Sequence, residues 1–368
     1  MPEDIFVAFS EVTISGLAMI GISLVMMYLG VARKYEPLLL VPISIGCLLA
    51  NLPGTKIADD EGFLGILRTA GLDNELFPLL MFLGVGALTD FTPLVQRPVT
   101  VLLGAASQFG IFAALILALL LGWSVENAGA IGIIGSADGP TTIYVASKLA
   151  GEGLLAPIAV AAYSYMAMVP IIQPPIMKLL TTKKERMVKM SYPSKSASYK
   201  ARVSFPIIVI ILTSLIAPEA TPLVGMLMFG NLLREVGVVD RLAKSTQNEL
   251  INVTTIFLGL TVGSTMSADS FLETRTLGIF VLGLGAFAIA TTSGLMFGKL
   301  MYYASKGTIN PLIGAAGVSA VPMAARVAHR VAQDEDPDNF LIMHAMGPNV
   351  AGVLGSAIAG GVILGVLM

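Results

Sequence analysis

Apolar stretches of span length recur along the chain at about 13–32, 37–52, 75–93, 99–122, 154–180, 203–218, 221–238, 250–268, 276–303 and 340–367. Crossing a bilayer as a helix takes about 20 mostly apolar residues, so the pattern predicts about ten transmembrane helices. Two further apolar stretches, 129–150 and 309–333, are broken by polar residues, glycine and proline. They predict re-entrant hairpins, because non-helical backbone at membrane depth is tolerated only where protein or a wet cavity satisfies its polar groups. A tilted span over 129–150 is the competing reading, and it would reverse the orientation of everything downstream.

Composition supports this all-α, polytopic membrane class. The chain of 368 residues is 55% hydrophobic and only 12% charged, with a mean hydropathy of +0.83; soluble domains carry about 25% charged residues. A net charge of −2 provides no global basic field for nucleic acid, and two histidines are too few for a histidine-rich metal centre. The lone Cys47 precludes an intrachain disulfide. The opening MPEDIFVAFSE is acidic where a cleavable signal would be basic, and is expected to form a short amphipathic surface helix.

Charge sets the orientation. Segment 181–202 holds seven Lys/Arg and one Glu, and short loops rich in Lys/Arg stay cytoplasmic. Arg33, Lys34, Arg97, Arg234, Arg241 and Lys244 then fall on the same side, and the acidic loop with Asp59, Asp60 and Glu61 falls outside.

Self-similarity suggests two halves. PLLLVPISIGCLL from Pro37 pairs with PLVGMLMFGNLL from Pro222, NELFPLLMFLGV from Asn74 with NELINVTTIFLGL from Asn248, and IGSADGPTTIYVASKLA from Ile134 with IGAAGVSAVPMAARVA from Ile313. The offsets are 185, 174 and 179 residues. Five spans per unit is odd, so the repeats are expected to have inverted topology, which is a pointer to a transport site between them. The expected domains are 1–182 as the first repeat, 183–202 as the basic cytoplasmic linker and 203–368 as the second repeat, with the two hairpin tips meeting near the midplane.

The candidate chemistry lies on those tips. Asp138, in GSADGPTTIY, is an intramembrane carboxylate, costly enough (about 2.5–3.5 kcal/mol on insertion scales) to be functional by default. With the hydroxyls of Thr141 and Thr142 it suits Na⁺ or a proton; otherwise it is a structural acid paired with Lys148. The second hairpin contributes Asn310, which could equally be a helix cap, with Ser319 and Arg326. The last two are seven apart and would share a helix face; Arg326 either grips an anion or snorkels to the interface. Asn349 suits cation coordination or helix–helix bonding equally. Tyr163 and Tyr165, two apart, face different sides of one helix that also carries Ser164, Gln173 and Lys178; either phenol could relay a proton, though aromatic packing is the simpler role. Asp269 with Asp138 is the one pair that could suggest an aspartyl protease, but neither lies in a G-x-G-D motif.

GSADGPT, AAYSYMAMVPIIQPPIMK, NPLIGAAGVSAVPMAAR, GPNVAGVLGS and the early ARKYEPLLL together resemble the β subunit of the bacterial biotin-dependent, sodium-pumping decarboxylases, over essentially the whole chain. This resemblance implies an elevator-transporter-like fold in the bacterial cytoplasmic membrane, usually trimeric. It implies a carboxyltransferase α subunit, a biotin carrier domain and a small single-span γ/δ subunit as partners. Carboxybiotin would be decarboxylated with proton consumption, driving Na⁺ outward. Asp138, Tyr165 and Arg326 would be the catalytic set, with Tyr163 held beside Tyr165. Asn310, Gly314, Ser319, Asn349 and Asp138 would hold Na⁺, and Arg326 with Lys148 would meet carboxybiotin. No Met-Lys-Met biotin-acceptor motif is present, so biotin is expected on a partner. Without the resemblance, the pattern stops at an inverted-repeat cation transporter, for example one exchanging Na⁺ for an organic anion; a purely structural anchor explains neither hairpins nor buried acid.

Overall fold

A computed structural model describes residues 11–151, 153–191, 197–266, 271 and 274–368. The expected surface helix at the N-terminus and Asp269 fall largely or wholly outside these residues. No strand occurs among the described residues. The principal helices are α1 (Ile14–Ala32), α2 (Pro37–Ala50), α3 (Leu76–Leu88), α4 (Val101–Ser107), α5 (Phe109–Leu120), α6 (Val125–Gly132), α7 (Gly139–Leu149) and α8 (Leu155–Leu180). They are followed by α9 (Tyr199–Ile216), α10 (Thr221–Glu235), α11 (Ile251–Ser264), α12 (Thr274–Ala304), α13 (Leu312–Ala315), α14 (Met323–Gln333) and α15 (Ile342–Leu367).

Among the described residues, six helices are long and apolar enough to cross a membrane, or seven if the bent pair Phe63–Asp73 and Leu76–Leu88 counts as one. The protein is therefore a multi-pass membrane protein. Four of the ten predicted spans are present as shorter helices: α2, α3, α10 and α11 have 14, 13, 15 and 14 residues. At about 1.5 Å per residue, each alone falls short of a hydrocarbon core of about 30 Å. Burial separates the long helices. The apolar windows of α1 and α9 are only 22% and 11% buried, which makes them peripheral, whereas that of α15 is 67% buried and central.

The short helices pack by glycine. A Cβ added at Gly46 of α2 would stand 2.2 Å from the Leu260 carbonyl oxygen of α11, and one at Gly263 2.0 Å from that of Ile43. The same arrangement joins α3 and α10: Gly86 would meet the Leu227 carbonyl at 1.8 Å, and Gly230 that of Leu83 at 2.0 Å. Small residues let membrane helices approach backbone to backbone. The C-terminal ends of α2 and α11 meet through Asn51 Nδ2 donating to the Met266 carbonyl at 2.8 Å. Those of α3 and α10 meet through Asn231 Nδ2 donating to the Thr89 carbonyl at 3.2 Å. A π-turn leads into both α3 (Arg68–Asp73) and α11 (Thr246–Leu250).

Residues 181–191 define one face of the molecule, here the linker face. The C-terminus of α8 and that of α3 lie on it, the latter shown by Arg97 donating to the Ser191 carbonyl a few residues further on. Glu75, at the start of α3, pairs with Lys148 at the end of α7, on the far face. Hence α3 runs from far face to linker face. Gln247 reaches the Ala87 carbonyl at 2.6 Å, so α11 starts on the linker face and runs the other way. The two glycine-packed pairs point in opposite directions.

The stretch 129–150 is not a continuous span. Helix α6 ends in a 3-10 turn (Ile133–Ser136), Ala137 is left-handed (φ 51°), and Asp138 is extended before α7 begins. Gly135 packs on the backbone of Gly110, where α4 and α5 break. The stretch 309–333 is likewise split into α13 and α14, with 316–322 non-helical between them. Gly314 lies against Gly294 and Gly298 of α12, and Gly352 of α15 against the Gly317 carbonyl. Cys47 is buried.

Candidate functional site

The two breaks touch. The Ser319 N–H donates to the Ser136 carbonyl at 3.1 Å, joining the tip of the second hairpin to that of the first. Asp138 is the N-cap of α7, accepting from the Thr141 N–H at 3.2 Å. Asp and Asn are favoured there because the side chain satisfies an orphan donor of the first turn, and Pro140 suits the first turn because it has no N–H to satisfy. The Thr141 hydroxyl, on the same turn, is buried without a hydrogen-bond partner. The other carboxylate oxygen takes the Ser356 hydroxyl of α15 at 2.5 Å. Asp138 and Ser356 are buried. A carboxylate so enclosed calls for a compensating cation or proton.

Neutral oxygens gather on the same side. Asn349 lies two turns before Ser356 on α15, on the same helix face. Its amide donates to the carbonyls of Ala316, Val318 and Ala320 at 3.0, 2.7 and 3.4 Å, which holds the second tip to α15. That leaves Asn349 Oδ1 buried without a partner, as are the hydroxyls of Ser319 and Tyr163. Among the described residues no cluster of three His, Cys, Asp or Glu exists. The donors are one carboxylate with hydroxyl and amide oxygens, a set that suits a hard cation.

The structure separates the two tyrosines. Tyr163 packs on the first residue of α7: a Cβ at Gly139 would fall 2.0 Å from its ring. Tyr165 turns away, packs on Gly283 of α12 and donates to the Phe280 carbonyl.

Other predicted residues lie elsewhere. Lys148 does not pair with Asp138. It is bound to Glu75 at 2.8 Å on the far face and lies 5.0 Å over the Tyr144 ring. Ten residues of helix, about 15 Å, separate it from Asp138, and Arg326 lies on the linker side of the tips, so Lys148 and Arg326 cannot share one ligand. Asn310 is not at the tip either. Its amide donates to the carbonyls of Arg186 and Val188, both at 2.9 Å, and its oxygen accepts from the Leu312 N–H at 3.0 Å. Asn339 reaches the same two carbonyls at 3.1 and 3.2 Å. These two asparagines clamp the linker to both ends of the second hairpin. The carbonyl of Gly314 is taken by the Gly317 N–H at 3.0 Å, and its missing side chain serves close packing against α12. Ser319 lies in the non-helical turn before α14, so it and Arg326 do not share a helix face. Gln173 anchors the hairpin from α8 through the Ala315 carbonyl at 3.0 Å, and Lys178 pairs with Asp334 at 2.9 Å.

Arg326 is exposed on α14 and makes no ion pair among the described residues. One turn earlier on that helix, Met323 lines a cavity of about 370 Å³. Around the linker the acids are neutralised. Arg186 meets Glu335 at 2.6 Å and Lys189 meets Asp336 at 2.9 Å, and these hydrogen bonds hold both carboxyls below their ordinary values.

Residues 15–367 match the family model of the Na⁺-transporting oxaloacetate decarboxylase beta subunit. The chain belongs to this family. Among its relatives, the methylmalonyl-CoA decarboxylase subunit beta of Veillonella parvula is 54% identical over 362 residues, 98% of this chain and 95% of that protein. The glutaconyl-CoA decarboxylase subunit beta of Acidaminococcus fermentans is 53% identical over 98% of this chain and 94% of its own length. The probable oxaloacetate decarboxylase beta chain of Pasteurella multocida is 50% identical over 94% of this chain and 93% of its own. Relatives named as decarboxylase subunits do not favour an organic-anion exchanger. Ser356 was missed by sequence reasoning, because a serine in an apolar span ordinarily bonds its own helix backbone.

Proposed function

We infer that this chain is the membrane β subunit of a sodium-translocating decarboxylase, which decarboxylates carboxybiotin on a carrier and couples the reaction to outward Na⁺ transport. The observation that carries the site assignment is the contact of the two hairpin tips around Asp138. Na⁺ is the transported substrate, held by the Asp138 carboxylate with oxygens of Ser319, Asn349, Ser356 and Tyr163, all buried and either bonded to that carboxylate or without a partner.

The linker face is the cytoplasmic face, supported by the lysines and arginines of 181–202. Carboxybiotin arrives there, in the cavity beside Met323, with Arg326 holding its carboxylate. Its N–C bond breaks, CO₂ leaves, and the ring nitrogen takes a proton. Tyr163, over the start of α7, is the better-placed phenol for a proton path; Tyr165 supports α12. Moving one Na⁺ outward against 100 mV costs about 2.3 kcal/mol before any gradient, and coupling needs the occupied and empty sites to favour different positions of a mobile unit.

The reading extends to architecture. The glycine-packed pairs α2/α11 and α3/α10 exchange partners between halves and point in opposite directions, which supports two inverted-topology repeats. They form a frame against which the hairpins, α8, α12 and α15 move as in an elevator-type transporter. A homotrimer in the bacterial cytoplasmic membrane with a carboxyltransferase, a carrier domain and a small single-span subunit completes the assembly. The test is Asp138→Asn in the assembled complex: both CO₂ release from carboxylated carrier and Na⁺ uptake into inverted vesicles are lost. Retained Na⁺-stimulated decarboxylation removes Asp138 from the mechanism.

A further inference from the structure

The turn between α1 and α2, within the ARKYEPLLL motif, is left unused by the tip site. Arg33, Lys34, Tyr35 and Glu36 line the same cavity of about 370 Å³ as Pro170 of α8 and Met323 of α14. That volume lies within the range of small-ligand clefts, about 300–1,000 Å³. The turn is held in an unusual shape. Lys34 and Glu36 have positive φ, 57° and 36°, a region non-glycine residues keep only where their surroundings over-determine it. The constraints are visible: the Tyr35 N–H bonds the Leu29 carbonyl at 3.2 Å, and the Glu36 carbonyl accepts from Leu39 and Leu40 at 3.1 and 2.9 Å. Arg33 and Lys34 are exposed and, like Arg326, make no ion pair among the described residues. Elsewhere on this face Lys178, Arg186 and Lys189 pair with Asp334, Glu335 and Asp336. The cavity thus has two unmatched cations on one wall and a third one helical turn beyond the other, against a single lining carboxylate, Glu36.

We propose that the α1–α2 turn is the frame-side wall of an anion pocket, in which Arg33 and Lys34 bind the carboxylate of carboxybiotin from the side opposite Arg326. The proposal rests on the reading that this chain receives carboxybiotin. A carboxylate offers about four acceptor sites on two oxygens, and one guanidinium covers only one edge. Two walls therefore complete the grip. Because the turn belongs to the frame and Met323 and Arg326 to the second hairpin, an anion held between them ties the two parts together, and its loss as CO₂ unties them. This provides the differential contact between states that coupling requires.

The test is the double variant Arg33→Gln, Lys34→Asn in the assembled complex; asparagine is chosen because it tolerates the left-handed backbone at position 34. The probes are free N-carboxybiotin and the carboxylated carrier domain, and the readouts are KM for each and the Na⁺ concentration for half-activation. KM rises about 10- to 100-fold for both probes, the Na⁺ value holds within about twofold, and Arg33→Lys, Lys34→Arg restores KM. Should the double variant not assemble, Arg33→Gln alone, at a position with ordinary helical backbone, raises both KM values about tenfold. A rise for the carrier domain alone overturns the proposal, because the turn then recognises the carrier's protein surface. Unchanged KM for both overturns it while leaving the role of Arg326 intact. No CO₂ release from either probe by the unsubstituted complex overturns the parent reading along with it.

Discussion

Ser356→Ala isolates the link between α15 and the buried acid. The hydroxyl has one proton and two acceptors, Asp138 Oδ2 at 2.5 Å and the Val353 carbonyl at 2.9 Å. The shorter bond goes to the charged group, and a hydrogen bond to a charged group is worth about 1.5–3 kcal/mol. Alanine removes that bond and one oxygen of the proposed Na⁺ site, but leaves the helix ladder untouched. Asp138 keeps only the Thr141 N–H at 3.2 Å. With about 1.4 kcal/mol per factor of ten, the Na⁺ concentration for half-maximal decarboxylation rises about 10- to 100-fold. The assay is CO₂ release from carboxylated carrier against a Na⁺ titration in reconstituted vesicles, with ²²Na⁺ uptake in parallel. KM for the carrier, which the proposal assigns to the linker-side cavity, stays put. An unchanged Na⁺ titration in a stably assembled Ser356→Ala complex would refute the placement of the ion on Asp138.

Other outcomes follow from the same geometry. Tyr163→Phe weakens Na⁺ activation about tenfold at little cost in stability, whereas Tyr165→Phe removes one bond to the Phe280 carbonyl, lowers stability by about 0.5–1.5 kcal/mol and spares Na⁺ activation; thermal unfolding and Na⁺ titration of the two variants show whether these effects are exchanged. Lys148→Gln, removing a partly exposed pair on the far face, costs at most about 1 kcal/mol of stability and leaves carrier KM unaltered; a raised KM would put Lys148 back at the carboxybiotin site. Glu335 and Asp336 are held below their ordinary values of 4.5 and 3.8, so their contribution to clamping the linker is complete above those values and is lost as pH falls through the lowered ones. Proteolysis of 183–191 is therefore expected to increase on acidification through that lowered range, and to increase already at neutral pH in Glu335→Gln.

Much of this was legible in the chain. The hairpin break at Asp138-Gly139-Pro140 announces itself, since an acid followed by glycine and proline cannot continue an apolar helix. The basic segment after the helix Leu155–Leu180 was equally plain. The clamp by Asn310 and Asn339 was not, because its acceptors are the carbonyls of Arg186 and Val188, and a carbonyl carries no residue identity. Tyr163 and Tyr165 could not be told apart by spacing; only the rotation of α8 about its axis decides which one covers Gly139. The Lys148–Glu75 pair escaped because two partly buried charges far apart in sequence give no local sign of each other. Ser319 and Arg326 misled through an assumed helix that begins only at Met323.

The glycine crossings have a mechanical consequence. At Gly46, Gly86, Gly230 and Gly263 even a methyl group would overlap a neighbouring carbonyl, at 1.8–2.2 Å. Each crossing is therefore a keyed joint: sliding either helix by one residue, about 1.5 Å, would drive a side chain into the opposing backbone. A frame keyed at four points cannot ratchet. In the elevator motion proposed above, travel of the ion site by more than a fraction of a helical step would have to take place along surfaces lined with side chains, and the wall of the cavity beside Met323 is such a surface.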